Sequence, residues 1–314
     1  MELFFSNVLT AFTQVIILFA IAMVGFICHK TGIYTEKASR MTTDLLFYIV
    51  APAIIIRSFV GMEFNREALK GFLLALLGGI FFHFVGMVFA KVLFNKGDKD
   101  TACIFKYACV YGNVGYMALP LVQAVLGDEG VFYCSVILVP FNTLSFTHGV
   151  SIMKKKEAQS KFNIKTLLLN PGVIGVTIGL PLFLLDINLP SVIYQPVSYL
   201  ADLNTPLAMV MFGTYLATAD WKTLFSDKRI FVSALVKIIL MPLITIAGLK
   251  LVGFGGTLLV AVVLSASAPT ASNTVMFAAK YDRDTALASK VTSLISVLSI
   301  FTMPVMIAIA QSLQ

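Results

Sequence analysis

Two stretches interrupt long apolar segments of the chain: GNVGYMALP at residues 112–120 and SASAPTASN at residues 265–273. Glycine, proline and asparagine weaken a helix and leave main-chain groups without helical partners. In lipid, such groups must be satisfied by protein, water or a ligand. Matched interruptions in two halves of a chain therefore predict a binding site in the middle of a membrane-embedded helix bundle.

The composition excludes an ordinary soluble protein. Of 314 residues, 58% are hydrophobic and 12% are charged, and the mean hydropathy is +0.91. Soluble proteins carry about 25% charged residues. The chain is therefore predicted to be a polytopic membrane protein with little sequence left for a soluble domain. Neither a basic region nor a cleavage site marks the first apolar segment, which we interpret as a retained span and not a signal peptide.

Ten segments are long and apolar enough to cross a bilayer. The longest polar stretch, 154–165, is predicted to be a cytoplasmic linker between a first repeat, 1–153, and a second, 166–314, of five spans each. Because five is odd, the second repeat enters the membrane from the opposite side. The sequence thus predicts an all-α integral membrane fold of ten helices in two inverted repeats, with broken, crossing fourth and ninth helices. The predicted spans are Val8–Cys28, Met41–Val60, Leu69–Leu93, Thr101–Leu126, Gly130–Ile152, Leu167–Leu185, Val192–Leu216, Phe231–Leu251, Thr257–Ala279 and Ala286–Ala310.

Identical residues and charge placement support this division. With the N-terminus outside, eighteen Lys and Arg residues fall in or beside cytoplasmic loops and Lys237 lies within a span. Four fall outside, namely Arg57, Arg66, Lys70 and Lys250. Positive residues favour the cytoplasmic side, so both termini are predicted outside. A nucleic-acid partner is excluded despite the net charge of +7, because the basic residues occupy short loops. Residue pairs 154 apart are Gly25 and Gly179, Pro52 and Pro206, and Asp128 and Asp282.

The first interruption combines close backbone approach with hydrogen-bonding capacity. Gly112 and Gly115 permit close approach, and Asn113 carries both donor and acceptor groups. Pro120 has no amide, which leaves the carbonyl of Tyr116 without a helical partner. The alternative interpretation is a kinked packing helix.

The second interruption is denser in polar side chains. Six of them fall in the ten residues from Ser265 to Thr274, although Ser and Thr can bond back to their own helix. If the two interruptions meet at mid-membrane, their helix N-termini would attract an anion. The predicted substrate-binding residues are Gly112, Asn113, Gly115, Tyr116, Pro120, Pro269, Thr270, Ser272, Asn273 and Thr274.

The residues from Gly112 to Leu121 resemble the fourth-span motif of the auxin efflux carrier family, which includes plant auxin carriers and bacterial organic-acid permeases. Pro269–Ala278, Lys237–Pro242 and Leu200–Leu216 resemble its ninth, eighth and seventh spans, so the resemblance covers nearly the whole chain. The short linker is similar to that of the bacterial branch. Asn273 and Thr274 depart from the plant pattern, so auxin is not transferred as the substrate.

The resemblance implies a fold and a mechanism. It implies a scaffold of spans 1, 2, 6 and 7 and a mobile transport unit of spans 3–5 and 8–10, whose broken helices cross near Pro120 and Pro269. It further implies an elevator transporter of organic anions in the bacterial cytoplasmic membrane, a homodimer formed through the scaffold, and a bilayer as its surroundings. Asn113 matches the family asparagine seven residues before the proline.

Three ionisable residues fall inside predicted spans, where a charge costs at least about 2.5–3.5 kcal/mol on insertion scales. We expect Lys237 to balance substrate or carboxylate charge and Asp202 to exchange a proton. The alternatives are a structural ion pair for Asp202 and a lysine that extends towards water. Asp44 lies near the cytoplasmic side and is either solvated there or part of the coupling machinery. Proton and sodium both stay open as coupling ions.

Other chemistry finds little support. His83 lies among phenylalanines and is expected to be an interior histidine satisfied by its neighbours, with pH sensing as the alternative. No paired histidine spacing predicts a metal, no cofactor motif is present, and the cysteines are expected to act as small buried hydrophobes.

The residues bear on four classes of function. The leading one is a secondary transporter (permease) for a small organic anion such as a mono- or dicarboxylate, for example malate or malonate. A cation or proton exchanger would need carboxylates at the crossing, and neither interruption contains one. An anion channel is a further alternative. An enzyme is disfavoured because no nucleophile–base arrangement or phosphate-binding motif is visible.

Overall fold

The computed structural model describes residues 2–95, 98–154, 169–218 and 227–313. Within these ranges the chain folds into helices with no named β-strand. Of the predicted linker 154–165, only Lys154 is among the described residues. The helices are α1 (Glu2–Lys30), α2 (36–60), α3 (Arg66–Leu93), α4 (Lys99–Val110), α5 (114–126), α6 (128–153), α7 (Pro171–Leu184), α8 (Ser191–Asp202), α9 (Asn204–Thr218), α10 (Lys228–Leu251), α11 (Gly256–Ser267), α12 (Asn273–Lys280) and α13 (Thr285–Ser312).

The helices confirm a multi-pass membrane protein. Five helical stretches in the described ranges are long and apolar enough to cross a bilayer, and three apolar helices are shorter. The arrangement in ten spans and two inverted repeats stays a prediction. The five stretches are Lys37–Val60, Arg66–Leu93, Val114–Met153, Lys228–Leu251 and Thr285–Ser312.

The stretch Val114–Met153 turns back on itself at Gly127. This residue has φ 65° and ψ −157°, a conformation that favours glycine. A Cβ atom on Gly130 would lie 3.0 Å from Cγ1 of Val122. Eight residues along a straight helix span about 12 Å, so α5 and α6 must pack side by side.

Polar side chains fix where the helices begin. In each case a side-chain oxygen accepts a hydrogen bond from an amide in the first turn, which satisfies a main-chain donor with no helical partner. The carboxylates among them also complement the positive end of the helix dipole. The capping residues are Asn65 for α3, Asp98 for α4, Asn170 for α7, Asp227 for α10 and Asp284 for α13.

Three prolines inside helices follow a widened turn and do not end the helix. The π-helical turns Leu46–Val50, Val114–Ala118 and Val236–Leu240 each end two residues before a proline. The missing proline amide leaves one carbonyl without its usual partner, and a π-turn accommodates the ring. Pro120 therefore lies within α5, and the non-helical residues of the first interruption are 111–113.

Glycines bring α1 and α9 into direct backbone contact. A Cβ atom on Gly25 would lie 2.0 Å from the carbonyl oxygen of Val210, and one on Gly213 would lie 1.9 Å from that of Ala22. Gly179 of α7 packs against the side chain of Phe59 on α2. A Cβ atom on Gly179 would lie 3.0 Å from the Cβ atom of Phe59. The helix pairs α1–α9 and α2–α7 form the most extensive contacts among the named helices.

A side chain at Gly213 should destabilise the protein. We expect Gly213→Val to push α1 and α9 apart, at a cost of at least about 1–3 kcal/mol, and to lower the melting temperature by several degrees. Thermal unfolding in detergent, followed by fluorescence-detected size exclusion, measures this. Gly255→Ala is the matched control, because no atom lies within 4 Å of its added Cβ. Equal melting temperatures for the two variants would contradict the packing.

Candidate functional site

Two short non-helical segments lie side by side at the centre of the protein. The first, 111–113, separates α4 from α5, and the second, 268–272, separates α11 from α12. The amide of Asn113 donates to the carbonyl of Pro269 at 2.6 Å, and the amide of Ala271 donates to that of Tyr111 at 2.9 Å. Gly112 and Thr270 thereby form an antiparallel bridge. We call these segments the paired segments.

Gly112 permits the close approach of the two segments. A Cβ atom there would lie 2.9 Å from Nζ of Lys237 and 3.0 Å from the carbonyl oxygen of Ala268. Thr270 is fully buried on the opposite segment, and its hydroxyl donates to the carbonyl of Ala108 at 3.0 Å. The segments therefore cannot separate without loss of buried hydrogen bonds.

The helices that leave the paired segments present free amides. Asn113 caps α5, since its Oδ1 accepts from the amide of Tyr116 at 3.2 Å. Among the described residues, the amides of Gly115, Ser272 and Asn273 donate no hydrogen bond. These amides belong to the first turns of α5 and α12, where the helix dipole is positive.

A large cavity of about 930 Å³ opens beside these helix starts. One wall carries residues of α2, α7 and α9, and the other carries residues of α5, α6, α12 and α13. The exposed side chains of Asp44 and Lys280 lie at its outer part. Asn113, Tyr116, Ser272 and Asn273 line its inner part, where α5 and α12 begin.

The predicted residues separate into three groups. Four line the large cavity, as given above, and Gly115 lines a smaller adjoining cavity of about 50 Å³. Gly112, Pro269 and Thr270 build the paired segments. Thr274 is buried and its hydroxyl donates to the carbonyl of Ala271 at 2.7 Å, which is the back-bonding alternative. Pro120 lies buried within α5.

A third helix start contributes side chains that sequence reasoning missed. Asn170 caps α7, and its Oδ1 accepts from the amide of Gly172 at 2.9 Å. It lines both cavities, and Asn142 of α6 joins it at the smaller one. A Cβ atom on Gly172 would lie 2.9 Å from Nδ2 of Asn142. The Asn-Pro-Gly sequence at 170–172 was the available signal, since it is typical of a helix start.

A row of hydroxyl groups on α13 also faces the cavity and was likewise missed. Ser289, Thr292, Ser293 and Ser296 all line it. The spacing of three and four residues places them on one helix face. The hydroxyl oxygen of Thr292 is buried and has no hydrogen-bond partner among the described residues. This face of α13 is therefore equipped to bind a polar ligand.

The three ionisable residues are far from equivalent. Asp44 lies at the cavity, while Lys237 is fully buried behind the paired segments, where its ammonium donates to the carbonyl of Ala266 at 3.3 Å. Asp202 accepts from Arg57 at 2.5 Å, and its side chain is 61% exposed. Arg57 also lies 3.6 Å from Asp128. The coupling roles of these residues stay predictions.

His83 has one nitrogen without a partner. Its Nδ1 lies 2.6 Å from the carbonyl oxygen of Gly79, but its buried Nε2 has no hydrogen-bond partner in the described ranges. The expectation of a satisfied interior histidine is therefore wrong for Nε2. The physical reason is the apolar packing, since Phe82 stacks on the ring at 4.3 Å. Over those ranges, no group of three His, Cys, Asp or Glu side chains could hold a metal ion.

Comparisons with known proteins all point to a membrane transporter. A family model described as Membrane transport protein matches residues 10–307. A Rhizobium meliloti protein, provisionally named a malonate transporter, is 24% identical over 272 residues, which cover 84% of each chain. An uncharacterized transporter of Methanocaldococcus jannaschii is 26% identical over 289 residues, covering 86% of this chain and 89% of the relative. The protein is a transporter and not an enzyme, as both relatives are named transporters. The family model matches nearly the whole chain, so the chain belongs to the membrane transport protein family, which is the auxin efflux carrier family that its sequence resembles.

Proposed function

We propose that the protein is a secondary transporter that carries a small organic anion, a mono- or dicarboxylate, across the bacterial cytoplasmic membrane. The observation that carries this proposal is the set of free amides at Gly115, Ser272 and Asn273 beside the cavity. Amides at helix N-termini bind carboxylates directly. The carboxamides of Asn113 and Asn273 supply further donors. The provisional name of the Rhizobium relative supports the same substrate class.

We also propose the ten-span inverted repeat as the architecture. The turn at Gly127 supports separate fourth and fifth spans within Val114–Met153. The pairs α1–α9 and α2–α7 support the symmetry, because each joins the first span of one half to the second span of the other. Gly25 and Gly179, the residues 154 apart, each lie at one of these contacts. With the charge distribution, this architecture leaves both termini outside.

An elevator movement is the mechanism that we propose. The cavity is lined by expected scaffold helices and by expected transport helices, and its lining includes Asp44 and Lys280, on the predicted cytoplasmic side. Arg57 lies 13 residues after Asp44 on α2, which corresponds to about 20 Å. There Arg57 of the expected scaffold lies 3.6 Å from Asp128 of the expected transport unit, and we propose that this ion pair helps to close the opposite side. Transport then requires this contact to break.

Removal of that contact should shift the resting conformation. In a cysteine-free background with Ser289→Cys as reporter, we expect Asp128→Asn to slow labelling from the cytoplasmic side by up to about fivefold, the limit set by one exposed ion pair. Membrane-impermeant thiol reagents applied to oriented vesicles measure it. Asp100→Asn is the matched control, since the Asp100–Arg283 ion pair lies within the transport unit. Equal labelling in all three proteins would contradict a contact that depends on conformation.

Uptake into proteoliposomes tests the transport function itself. Purified protein should show saturable uptake of radiolabelled malonate or a related carboxylate, and unlabelled substrate should compete. Saturable sodium or proton exchange without any anion would favour the exchanger instead. Uptake that does not saturate and follows the membrane voltage would favour an anion channel.

We propose a homodimer formed through the scaffold, which size exclusion with light scattering tests in the same preparation.

A further inference from the structure

His83 carries a buried nitrogen that is available to bind a proton. A carbonyl oxygen can only accept, so Nδ1 donates to Gly79 and Nε2 is left with its lone pair. The side chain is fully buried, and Nε2 has no partner in the described part of the chain. An unsatisfied buried polar atom costs about 1–3 kcal/mol. Such an atom in a native protein calls for an explanation.

Lys237 occupies the corresponding place in the second half of the chain. It lies 154 residues after His83, the same separation as between Gly25 and Gly179. Both side chains are fully buried, and the Lys237 ammonium is close enough to act electrostatically on His83. In the described ranges, Lys237 bonds to the carbonyl of Ala266, near the C-terminus of α11, and forms no ion pair. Its charge therefore has no carboxylate partner there.

The groups that face His83 are neutral or positive. Lys237 lies on α10, and Tyr111 begins the first of the paired segments, where its ring is 5.9 Å from that of His83. Cys109 of α4 lies near Lys237. On α6, His148 bonds to the Tyr111 hydroxyl at 2.8 Å, and Cys134 contacts Ser265 of α11, a helix with no ionisable side chain. A proton on Nε2 would add a second positive charge with no carboxylate among these groups to balance it.

We propose that Nε2 of His83 binds the coupling proton, and that an anion in the cavity supplies the balancing charge. This inference rests on the proposed anion transport. The substrate lies on one face of the paired segments, while Lys237, which contacts Gly112, lies on the other face with His83 nearby. Because binding linkage is reciprocal, the anion favours the proton and the proton favours the anion. Transport is then symport of a proton with an organic anion, independent of sodium.

Proton uptake on anion binding tests this proposal. Malonate is added to purified protein in weak buffer at about pH 7, and a pH-sensitive dye records protons while calorimetry records binding. We expect uptake approaching one proton per bound anion. In His83→Gln, which keeps a donor for Gly79 but cannot hold a proton, we expect binding with no uptake. His29→Gln, at a membrane edge, is the matched control and should behave as wild type.

The outcomes separate the two proposals. Malonate binding by wild type without proton uptake, or with uptake that survives in His83→Gln, overturns the proton site and leaves anion transport intact. A requirement for sodium overturns it as well. Absence of binding by any carboxylate in wild type overturns both. Should His83→Gln fold poorly, wild type alone can still overturn the proton site: one coupled proton must weaken anion affinity about tenfold for each pH unit above the titration range, so an affinity that does not change with pH excludes it.

Discussion

Asn113→Asp should abolish anion transport while the protein stays folded. Aspartate caps a helix as well as asparagine does, so the hydrogen bond from the amide of Tyr116 survives. The new carboxylate would stand beside the free amides and repel the substrate. At a separation of about 4 Å near a protein surface, two like charges repel by about 4 kcal/mol, so we expect at least a 100-fold loss of affinity.

The measurement is calorimetric binding of malonate, together with uptake into proteoliposomes. Asn113→Ser is the comparison variant, because it keeps a capping oxygen and adds no charge. We expect it to lose about tenfold or less, the value of one or two neutral hydrogen bonds. Size exclusion establishes that both variants fold. Equal anion affinity for Asn113→Asp and Asn113→Ser would contradict an anion site here, and new sodium exchange by Asn113→Asp would favour a cation exchanger.

Gly112→Ala should abolish transport for a different reason, the loss of the paired segments. The added methyl group would overlap Nζ of Lys237 and the carbonyl oxygen of Ala268. Relief of this overlap must stretch the hydrogen bonds that join Asn113 to Pro269 and Ala271 to Tyr111. We expect uptake to fall below detection and the melting temperature to fall by several degrees, since overpacking costs about 1–3 kcal/mol.

Gly115→Ala distinguishes this steric effect from an effect on the ligand. No atom lies within 4 Å of the Cβ that it would add, and Gly115 lines the smaller cavity. Its melting temperature should therefore match that of wild type, even where its anion affinity changes. The two variants are compared by thermal unfolding and by uptake at saturating substrate. A Gly112→Ala protein with wild-type stability and transport would show that the segments tolerate separation.

The sequence predicted those parts of the site that depend only on neighbouring residues in the chain. Glycine, proline and asparagine mark a weakened helix wherever they occur, so the stretches 112–120 and 265–273 could be identified without a structure. The positions within them could not. Pro120 appeared to be the break, but a π-turn absorbs it and the helix starts earlier, at the Asn113 cap. A proline shows that a carbonyl loses its partner, but not how the chain adapts.

Residues that depend on packing were missed. Asn142, Asn170 and the hydroxyl row of α13 are ordinary polar residues in sequence, and only tertiary contacts bring them to the cavities. Arg57 was placed in an outer loop region by charge counting, whereas the structure pairs it with Asp202 and Asp128. His83 appeared to be a packed interior residue. A missing hydrogen bond is a property of the surroundings, which no sequence pattern displays.

The proposed transport depends on an anion that binds to the free amides at the starts of α5 and α12. A cryo-electron microscopy difference map of the protein in nanodiscs, with and without malonate, tests this most directly. We predict ligand density within hydrogen-bond distance of the amides of Gly115, Ser272 and Asn273. Density elsewhere in the cavity, with water against these amides, would contradict the account.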